Sequence, residues 1–93
     1  MARELVVKAQ FQRAYDRLEA SEQERIKKAL RLLQHYLQGG IVPLGLGLKK
    51  LGPGVYEFRA GLALRGIYVE EGPVLALALL GSHDDVRRFL RRA

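Results

Sequence analysis

Three hydrophobic runs divide the stretch from Val55 to Leu80, and turn residues separate them at Gly61 and at Gly72-Pro73. Short runs rich in Val, Ile, Leu, Tyr and Phe, bounded by Gly and Pro, predict three β-strands in a meander. In the first run apolar and charged residues alternate, so the two kinds of side chain should lie on opposite faces of the sheet. The apolar face carries Tyr56 and Phe58, and the charged face carries Glu57 and Arg59.

The N-terminal part of the chain predicts one strand followed by two helices. Leu5-Val-Val7 is a short run typical of a strand. A helical stripe with apolar residues at i, i+3, i+4 and i+7 follows, and it consists of Phe11, Ala14, Tyr15 and Leu18. A second and longer stripe consists of Ile26, Ala29, Leu30, Leu33 and Leu37. Because so little sequence separates the two stripes, we expect an antiparallel helical hairpin.

Local signals mark the two ends of the second helix. Ser21-Glu-Gln-Glu24 matches a capping box and predicts a helix start near residue 22. Gly39-Gly40 predicts its end. The segment from Gly39 to Gly54 is rich in Gly and Pro, and we expect a mobile connection with a short extended piece near Leu46-Leu48.

The C-terminal part predicts a buried strand and a last helix. The apolar run from Val74 to Leu80 is continuous, which favours a central strand covered on both faces. Ser82 and Asp85 form a second capping box, and the helix that follows should turn Val86, Phe89 and Leu90 inward. We therefore expect an α+β fold in the order β-α-α-β-β-β-α. Its small twisted, mainly antiparallel four-stranded sheet should pack on the N-terminal helical hairpin, with residues 1–93 forming a single domain.

Composition narrows the possible functions. The chain has no cysteine, which excludes disulfides, a cysteine nucleophile and cysteine-based metal sites. We find neither a signal peptide nor a membrane-spanning run, and we expect a cytoplasmic protein that does not bind membranes. The net charge of +6, from 16 Lys and Arg against 10 Asp and Glu, favours nucleic acid or an acidic protein as a partner. A solvated basic surface is the simpler alternative.

Five residues in or beside the predicted meander are candidates for a common site: Lys49, Lys50, Arg59, Arg65 and His83. Arg and Lys bind phosphate and stabilise its developing charge, and a His, or a carboxylate such as Glu57, can transfer protons. Together these groups suit cleavage of an RNA phosphodiester without a metal or another cofactor. Simpler roles stay open: arginines paired with Glu57 or Glu70, lysines that solubilise a loop, and a histidine in the first turn of a helix.

Other polar residues are assigned no chemistry. Asp84 and Asp85 should complement the dipole of the last helix, and we predict no metal site. Gly45-Leu-Gly47 lacks the Gly-Lys-Ser/Thr ending of a phosphate loop. His35 lies opposite the apolar stripe of the second helix and should face solvent.

The order of elements and three sequence segments resemble the RelE/ParE superfamily of toxins from type II toxin–antitoxin systems. The segments run from Leu48 to Arg59, from Leu64 to Tyr68 and from Leu79 to Val86. RelE-like sequences have a similar succession of Lys-Leu, Tyr-Glu-(Ile/Leu)-Arg and Arg-(Val/Ile)-(Val/Ile)-Tyr. An apolar strand follows and ends in a polar turn. The resemblance extends over nearly the whole chain.

The resemblance implies a toxin that cleaves mRNA on the ribosome without a metal and is masked by a cognate antitoxin. By position, Arg65 resembles the family's phosphate-stabilising strand arginine, and His83 stands where members have an Arg or a His. Arg59 and Glu57 stand at strand positions where some members have lysines. Basic residues around them are expected to bind RNA: Lys49, Lys50, Arg87, Arg88 and Arg91.

The sequence departs from the family pattern at two positions. Phe89 stands where some ribonuclease members have a tyrosine, and Glu57 puts a negative charge where others have a cation. Proton transfer would then fall to His83 or Glu57. Two alternatives to the ribonuclease stay open: a ParE-like toxin that inhibits DNA gyrase without catalysis, and an inactive basic binding module on the same fold.

Overall fold

The computed structural model describes residues 4–41, 43, 45–61 and 63–92. Their elements follow one another in chain order as strands and helices of an α+β fold. The strands are β1 (Glu4–Val7), β2 (Lys49–Gly52), β3 (Val55–Arg59), β4 (Arg65–Glu71) and β5 (Val74–Gly81). The helices are α1 (Ala9–Asp16), α2 (Ala20–Leu37) and α3 (His83–Arg92). Within the described ranges no helix is both long enough and apolar enough to cross a membrane.

The strands form one mixed sheet in the order β1-β5-β4-β3-β2. β1 is parallel to β5, and the other neighbours are antiparallel. The prediction of four strands is therefore wrong, because β2 adds a fifth in the segment assigned to a mobile connection. β2 has only four residues and contains a bulge at Leu51, so it is too short and irregular to produce an alternating pattern. Its outer edge carries the exposed Lys49 and Lys50, which protects the edge from pairing with another chain.

Helices α1 and α2 share the main core with one face of the sheet. Only residues 17–19 join the two helices, and both contribute to one apolar cluster with the sheet. Its buried members on the helices are Phe11, Ile26, Ala29 and Leu33. The predicted end of α2 is confirmed, because Gly39 follows the helix with a φ of 99°, a backbone conformation that favours glycine.

The predicted start of α2 is wrong by two residues. The helix begins at Ala20, with Glu19 as its N-cap and no side-chain hydrogen bond at the cap. Ser21 therefore lies inside the first turn, and the side chain of Glu24 accepts a hydrogen bond from Lys27 at 3.2 Å instead of closing a capping box. A Ser-x-x-Glu spacing matches a capping box wherever the true cap lies, so the motif alone does not fix the first residue.

β5 is covered on both faces, as its continuous apolar run predicts. It lies between β1 and β4, and a bulge at Ala78 changes which residues face each side. Leu77 and Leu80 both contribute to the main core, whereas Leu79 joins a second cluster under α3. The backbone N–H of Leu80 donates a hydrogen bond to Oε1 of Gln10 on α1 at 3.2 Å.

The second cluster fixes α3 against the opposite face of the sheet. Val86 is buried there with Ile67 and Leu79, and Phe89 packs against them. Leu90, which was expected to face inward, is 38% exposed. The apolar stripe of this helix is therefore narrower than the sequence pattern predicts, since only the positions that contact the sheet are covered.

Aromatic residues fix the register between β3 and β4. Tyr56 lies directly opposite Tyr68, and the two rings stack with their centroids 5.0 Å apart. Phe58 lies opposite Gly66 and has 0% exposure. A Cβ atom at position 66 would lie 2.3 Å from Cζ of Phe58, so the ring occupies the space that a side chain would need. Glycine is therefore required at this position by packing.

We expect Gly66→Ala to lower the free energy of unfolding by about 2–3 kcal/mol, because the buried Phe58 ring has no free space into which it can move. Urea denaturation measures the change. Gly52→Ala is the matched control, since a Cβ at position 52 has no neighbour within 4 Å, and its effect should stay within about 0.5 kcal/mol. If both variants lose the same small amount, the ring does not restrict position 66.

Candidate functional site

The ends of three adjacent strands bring two of the predicted arginines together. Arg59, the last residue of β3, is the register partner of Arg65, the first residue of β4. Arg65 in turn lies opposite Gly81, the last residue of β5. Side chains directly opposite on an antiparallel pair have Cβ atoms roughly 5 Å apart. The two guanidinium groups therefore start from neighbouring positions on one face of the sheet.

Neither arginine is paired with an acid within the part of the chain that the structure describes. The ion pairs found there involve other residues, namely Lys8 with Glu71, Lys27 with Glu24 and Arg88 with Asp85. The simpler hypothesis that Glu57 or Glu70 neutralises Arg59 and Arg65 is thus not supported by the geometry. Like charges on directly opposite residues destabilise a sheet, and a bound anion would remove this repulsion.

The turn after β5 directs the start of α3 toward the same end of the sheet. The predicted capping box is formed: the backbone N–H of Asp85 donates to Oγ of Ser82 at 3.2 Å, and the backbone N–H of Ser82 donates to Oδ2 of Asp85 at 2.8 Å. Gly81 makes this possible, because a Cβ there would lie 2.5 Å from Oδ2 of Asp85. The helix N-terminus therefore lies beside Arg65, with its partial positive charge toward the strand ends.

His83 is the first residue of α3, two residues after the register partner of Arg65. Its side chain is exposed and makes no hydrogen bond to the described residues. Glu57 lies on β3 two residues before Arg59, so it shares the face of Arg59. In the strand order, the turn that contains His83 lies on the β5 side of Arg65. Glu57 lies on the β3 side of Arg65. The four residues predicted to be catalytic thus belong to one region.

The two predicted lysines do not belong to a common surface. Lys49 is the register partner of Glu57 and shares its face of the sheet. Lys50 is the partner of Tyr56, and its Nζ lies 5.9 Å from the centroid of that ring. Successive strand residues point to opposite faces, which separates Lys50 from the arginines. The separation could not be predicted from the sequence, because residues 49 and 50 were expected in a loop, where side chains have no defined faces.

The predicted RNA-binding arginines of α3 lie on its exposed side. Arg87, Arg88 and Arg91 are all exposed, while Val86 and Phe89 face the sheet. Arg88 forms an ion pair with Asp85 near the start of the helix. Its charge is therefore partly neutralised within the chain. Arg87 and Arg91 make no ion pair with described residues.

The structure adds two basic residues to those predicted from the sequence. Arg25 and Lys28 of α2 line a cleft together with Arg59. Their i, i+3 spacing puts both on one side of the helix, and this spacing is visible in the sequence. The position of Arg59 on the other wall of the cleft cannot be predicted from the sequence.

The chain matches no protein-family model and no curated protein sequence. Solved structures do match. A chain of the archaeal RelE–RelB complex from Pyrococcus horikoshii superposes with a TM-score of 0.69 and 22% identity, over 88% of this chain and 96% of that one. A chain of the Escherichia coli DinJ–YafQ toxin–antitoxin complex gives a TM-score of 0.69 at 15% identity, over 92% and 98%. The chain has the RelE-like fold.

A third structure supports this assignment. A copper-bound mutant toxin from Helicobacter pylori superposes with a TM-score of 0.63 and 18% identity, over 90% of this chain and 98% of that one. The predicted resemblance is therefore confirmed at the level of the RelE-like fold. At these identities the activity has to be argued from the side chains of this chain.

Asp85→Ala should lower the free energy of unfolding by about 1 kcal/mol at neutral pH, because it removes one half of the capping box. Hydrogen bonds from the Ser82 backbone N–H and then from Arg88 hold the pKa of Asp85 below its usual value. A lowered pKa contributes stability above the unfolded-state pKa of about 3.9, and this contribution is lost as the pH falls through the folded-state pKa. Urea denaturation of the wild type and of Asp85→Ala as a function of pH measures the difference between their free energies of unfolding.

The neighbouring Asp84→Ala is the control, since the Asp84 side chain is exposed and makes no hydrogen bond within the described residues. Asp84→Ala should lower the free energy of unfolding clearly less than Asp85→Ala does at neutral pH. Equal effects of the two substitutions would mean that general helix-dipole electrostatics, rather than the capping box, stabilise the start of α3.

Proposed function

We propose that the chain is the toxin of a type II toxin–antitoxin system and inhibits translation by cleaving mRNA on the ribosome, in the cytoplasm. The observation that carries the proposal is the Arg59–Arg65 cross-strand pair, which has no acidic partner among the described residues and lies beside the start of α3. Guanidinium groups carried by two register partners suit a phosphate that gains negative charge during a reaction. The RelE-like fold is consistent with this function.

The proposed reaction is transesterification at the scissile phosphate. The 2′-oxygen attacks phosphorus and the bond from phosphorus to the 5′-oxygen breaks, which leaves a 2′,3′-cyclic phosphate and a 5′-hydroxyl. One group must accept the proton of the 2′-hydroxyl, and another must donate a proton to the departing 5′-oxygen. Arg65, with Arg59 beside it, stabilises the phosphorane through charge and hydrogen bonds. No metal or organic cofactor enters this reaction.

Glu57 and His83 are the proposed proton carriers. An in-line displacement separates the attacking and departing oxygens on opposite sides of phosphorus, so the base and the acid should approach from different sides. The strand order supports this assignment, since Glu57 lies on the β3 side of Arg65 and the turn with His83 lies on the β5 side. In this assignment the Glu57 carboxylate accepts the proton of the 2′-hydroxyl, and His83 donates the proton that the leaving oxygen takes up. Phe89 packs against the second apolar cluster and has no hydroxyl to contribute.

A cognate antitoxin is the proposed protein partner. Structural neighbours of the chain come from the RelE–RelB complex and from the DinJ–YafQ toxin–antitoxin complex. With a net charge of +6, the chain would associate fastest with an acidic partner, since complementary charge steers encounter. We propose that the antitoxin prevents the mRNA from reaching the arginine pair.

Induced expression in bacteria without an antitoxin tests the proposal. The wild type should stop growth and generate new mRNA 5′ ends inside reading frames. Arg65→Ala and His83→Ala should abolish both effects, because loss of one group that stabilises the transition state typically slows a reaction by about 10²–10³-fold. His35→Ala and Arg31→Ala are the matched controls, as both residues are exposed on α2, and they should retain toxicity.

Two outcomes would contradict the proposal. Growth arrest with intact mRNA and an induced DNA-damage response would identify DNA gyrase as the target. Absence of growth arrest, with the protein present and folded, would identify an inactive binding module. In either case the arginine pair would serve binding rather than catalysis.

A further inference from the structure

We propose that the cleft between α2 and the loop around Gly45 binds a backbone phosphate of RNA next to the phosphate held by Arg59 and Arg65. The cleft has a volume of about 220 Å³ and is lined by Arg25, Lys28, Ala29, Leu32, Gly45 and Arg59. The inference rests on the proposed function, because it takes RNA to be the target. It adds a second binding position that involves two residues outside the candidate catalytic group.

One side of α2 forms the first wall of the cleft. Positions 25, 28, 29 and 32 follow the i, i+3, i+4, i+7 spacing of a single helix face. Ala29 is buried and Leu32 is half-buried, so these two side chains form the apolar part of the wall. Arg25 and Lys28 are exposed beside them, and their long side chains can therefore reach an anion in the cleft.

Arg59 forms the opposite wall and connects the cleft to the strand ends. The backbone N–H of Arg59 donates to the carbonyl of Leu46 at 2.8 Å, which holds the loop alongside the end of β3. Gly47 has a φ of 62°, and a Cβ there would lie 3.4 Å from Cβ of Arg59 and 3.7 Å from its Nε. The loop therefore contacts the stem of the Arg59 side chain closely. Arg59 thus lies between the cleft and its register partner Arg65.

The charge of the cleft lining is positive, and its cations form no ion pair within the described residues. Three of its lining side chains are cations and none is acidic. None of the three forms an ion pair there, whereas Lys27 on another side of α2 is paired with Glu24. A phosphate bound in the cleft would form charge-assisted hydrogen bonds with these cations.

Continuity with Arg59 favours RNA over an acidic protein segment as the occupant. A nucleic-acid backbone presents anions at regular intervals. Because Arg59 lines the cleft and is the register partner of Arg65, one strand can present successive phosphates to both. Messenger RNA and ribosomal RNA offer the same phosphate chemistry. Binding to an isolated RNA and binding to ribosomes separate these two sources.

The test compares two double variants that each remove two positive charges. Arg25→Gln with Lys28→Gln alters the cleft. Arg13→Gln with Lys27→Gln is the control, because Arg13 lies on α1 and Lys27 lies on the side of α2 turned away from the cleft. Thermal melting confirms that both variants fold. Fluorescence anisotropy then measures binding to a short labelled single-stranded RNA with 2′-O-methyl riboses, which cannot undergo the cleavage reaction, over a range of salt concentrations.

We expect the cleft variant to bind this RNA roughly tenfold more weakly, as for the loss of a hydrogen bond to a charged group. The slope of log K against log salt should fall by about 0.7, the value for one phosphate contact on a single strand. The control variant should keep the wild-type slope. This result would support the proposal with mRNA as the source of the phosphate.

Co-sedimentation with purified ribosomes provides the second arm. Loss of ribosome binding by the cleft variant alone, with unchanged binding to the RNA oligonucleotide, would support the proposal with ribosomal RNA as the source. Wild-type behaviour in both arms would overturn the proposal. A cleft variant that keeps RNA and ribosome binding but loses binding to an acidic peptide would also overturn the proposal, because it would assign the cleft to a protein partner. Neither arm depends on cleavage. The cleft proposal can therefore fail while the nuclease proposal holds, and the nuclease proposal can fail while the cleft proposal holds.

Discussion

The packing of the Phe58 ring against the backbone of Gly66 is the contact on which the candidate site depends. These residues are register partners one pair before the end of β3, and the ring fills the space of a missing side chain. The next pair along the same two strands is Arg59 with Arg65. A slip of one residue would exchange the two faces of β3 and turn a charged side chain into the core. The register that buries Phe58 therefore also brings the two arginines together.

The apolar structure on both faces of the sheet explains how a repulsive arginine pair can persist. The helices α1 and α2 cover one face and α3 covers part of the other, so the strand ends are held from both sides. The bulge at Ala78 lets Leu77 and Leu80 enter the main core while Leu79 supports α3. Burial of large apolar side chains contributes roughly 1.5–3 kcal/mol each. This exceeds the cost of one like-charge pair, which is at most about 1 kcal/mol.

Sequence patterns predicted the elements whose signals are local. The meander from β3 to β5, the covered strand β5 and the Ser82–Asp85 capping box all follow from short spacings, and the structure contains them. β2 was missed because four residues interrupted by a bulge have no usable period. The separation of Lys49 from Lys50 was missed for the same reason, since residues assigned to a loop have no defined faces.

The candidate site was predictable only in part. Arg59, Arg65 and His83 could be grouped because they flank predicted strands, whereas their register required the structure. The cleft was not predictable, because Arg25 and Lys28 are separated from Arg59 by a Gly- and Pro-rich segment whose path no local pattern determines. The hydrogen bond from Arg59 to Leu46 sets part of that path, and it is a tertiary contact.

The central claim is that the Arg59–Arg65 pair stabilises the charge that develops on a scissile phosphate. Single-turnover cleavage of a defined mRNA on purified, programmed ribosomes tests it most directly, with wild type, Arg65→Lys and Arg65→Ala compared at equal thermal stability. The account predicts products ending in a 2′,3′-cyclic phosphate and a 5′-hydroxyl. It also predicts a rate that falls by about 10² or more for Arg65→Ala and falls less for Arg65→Lys, which keeps the charge but loses the bidentate geometry. Cleavage at the wild-type rate by Arg65→Ala would contradict it.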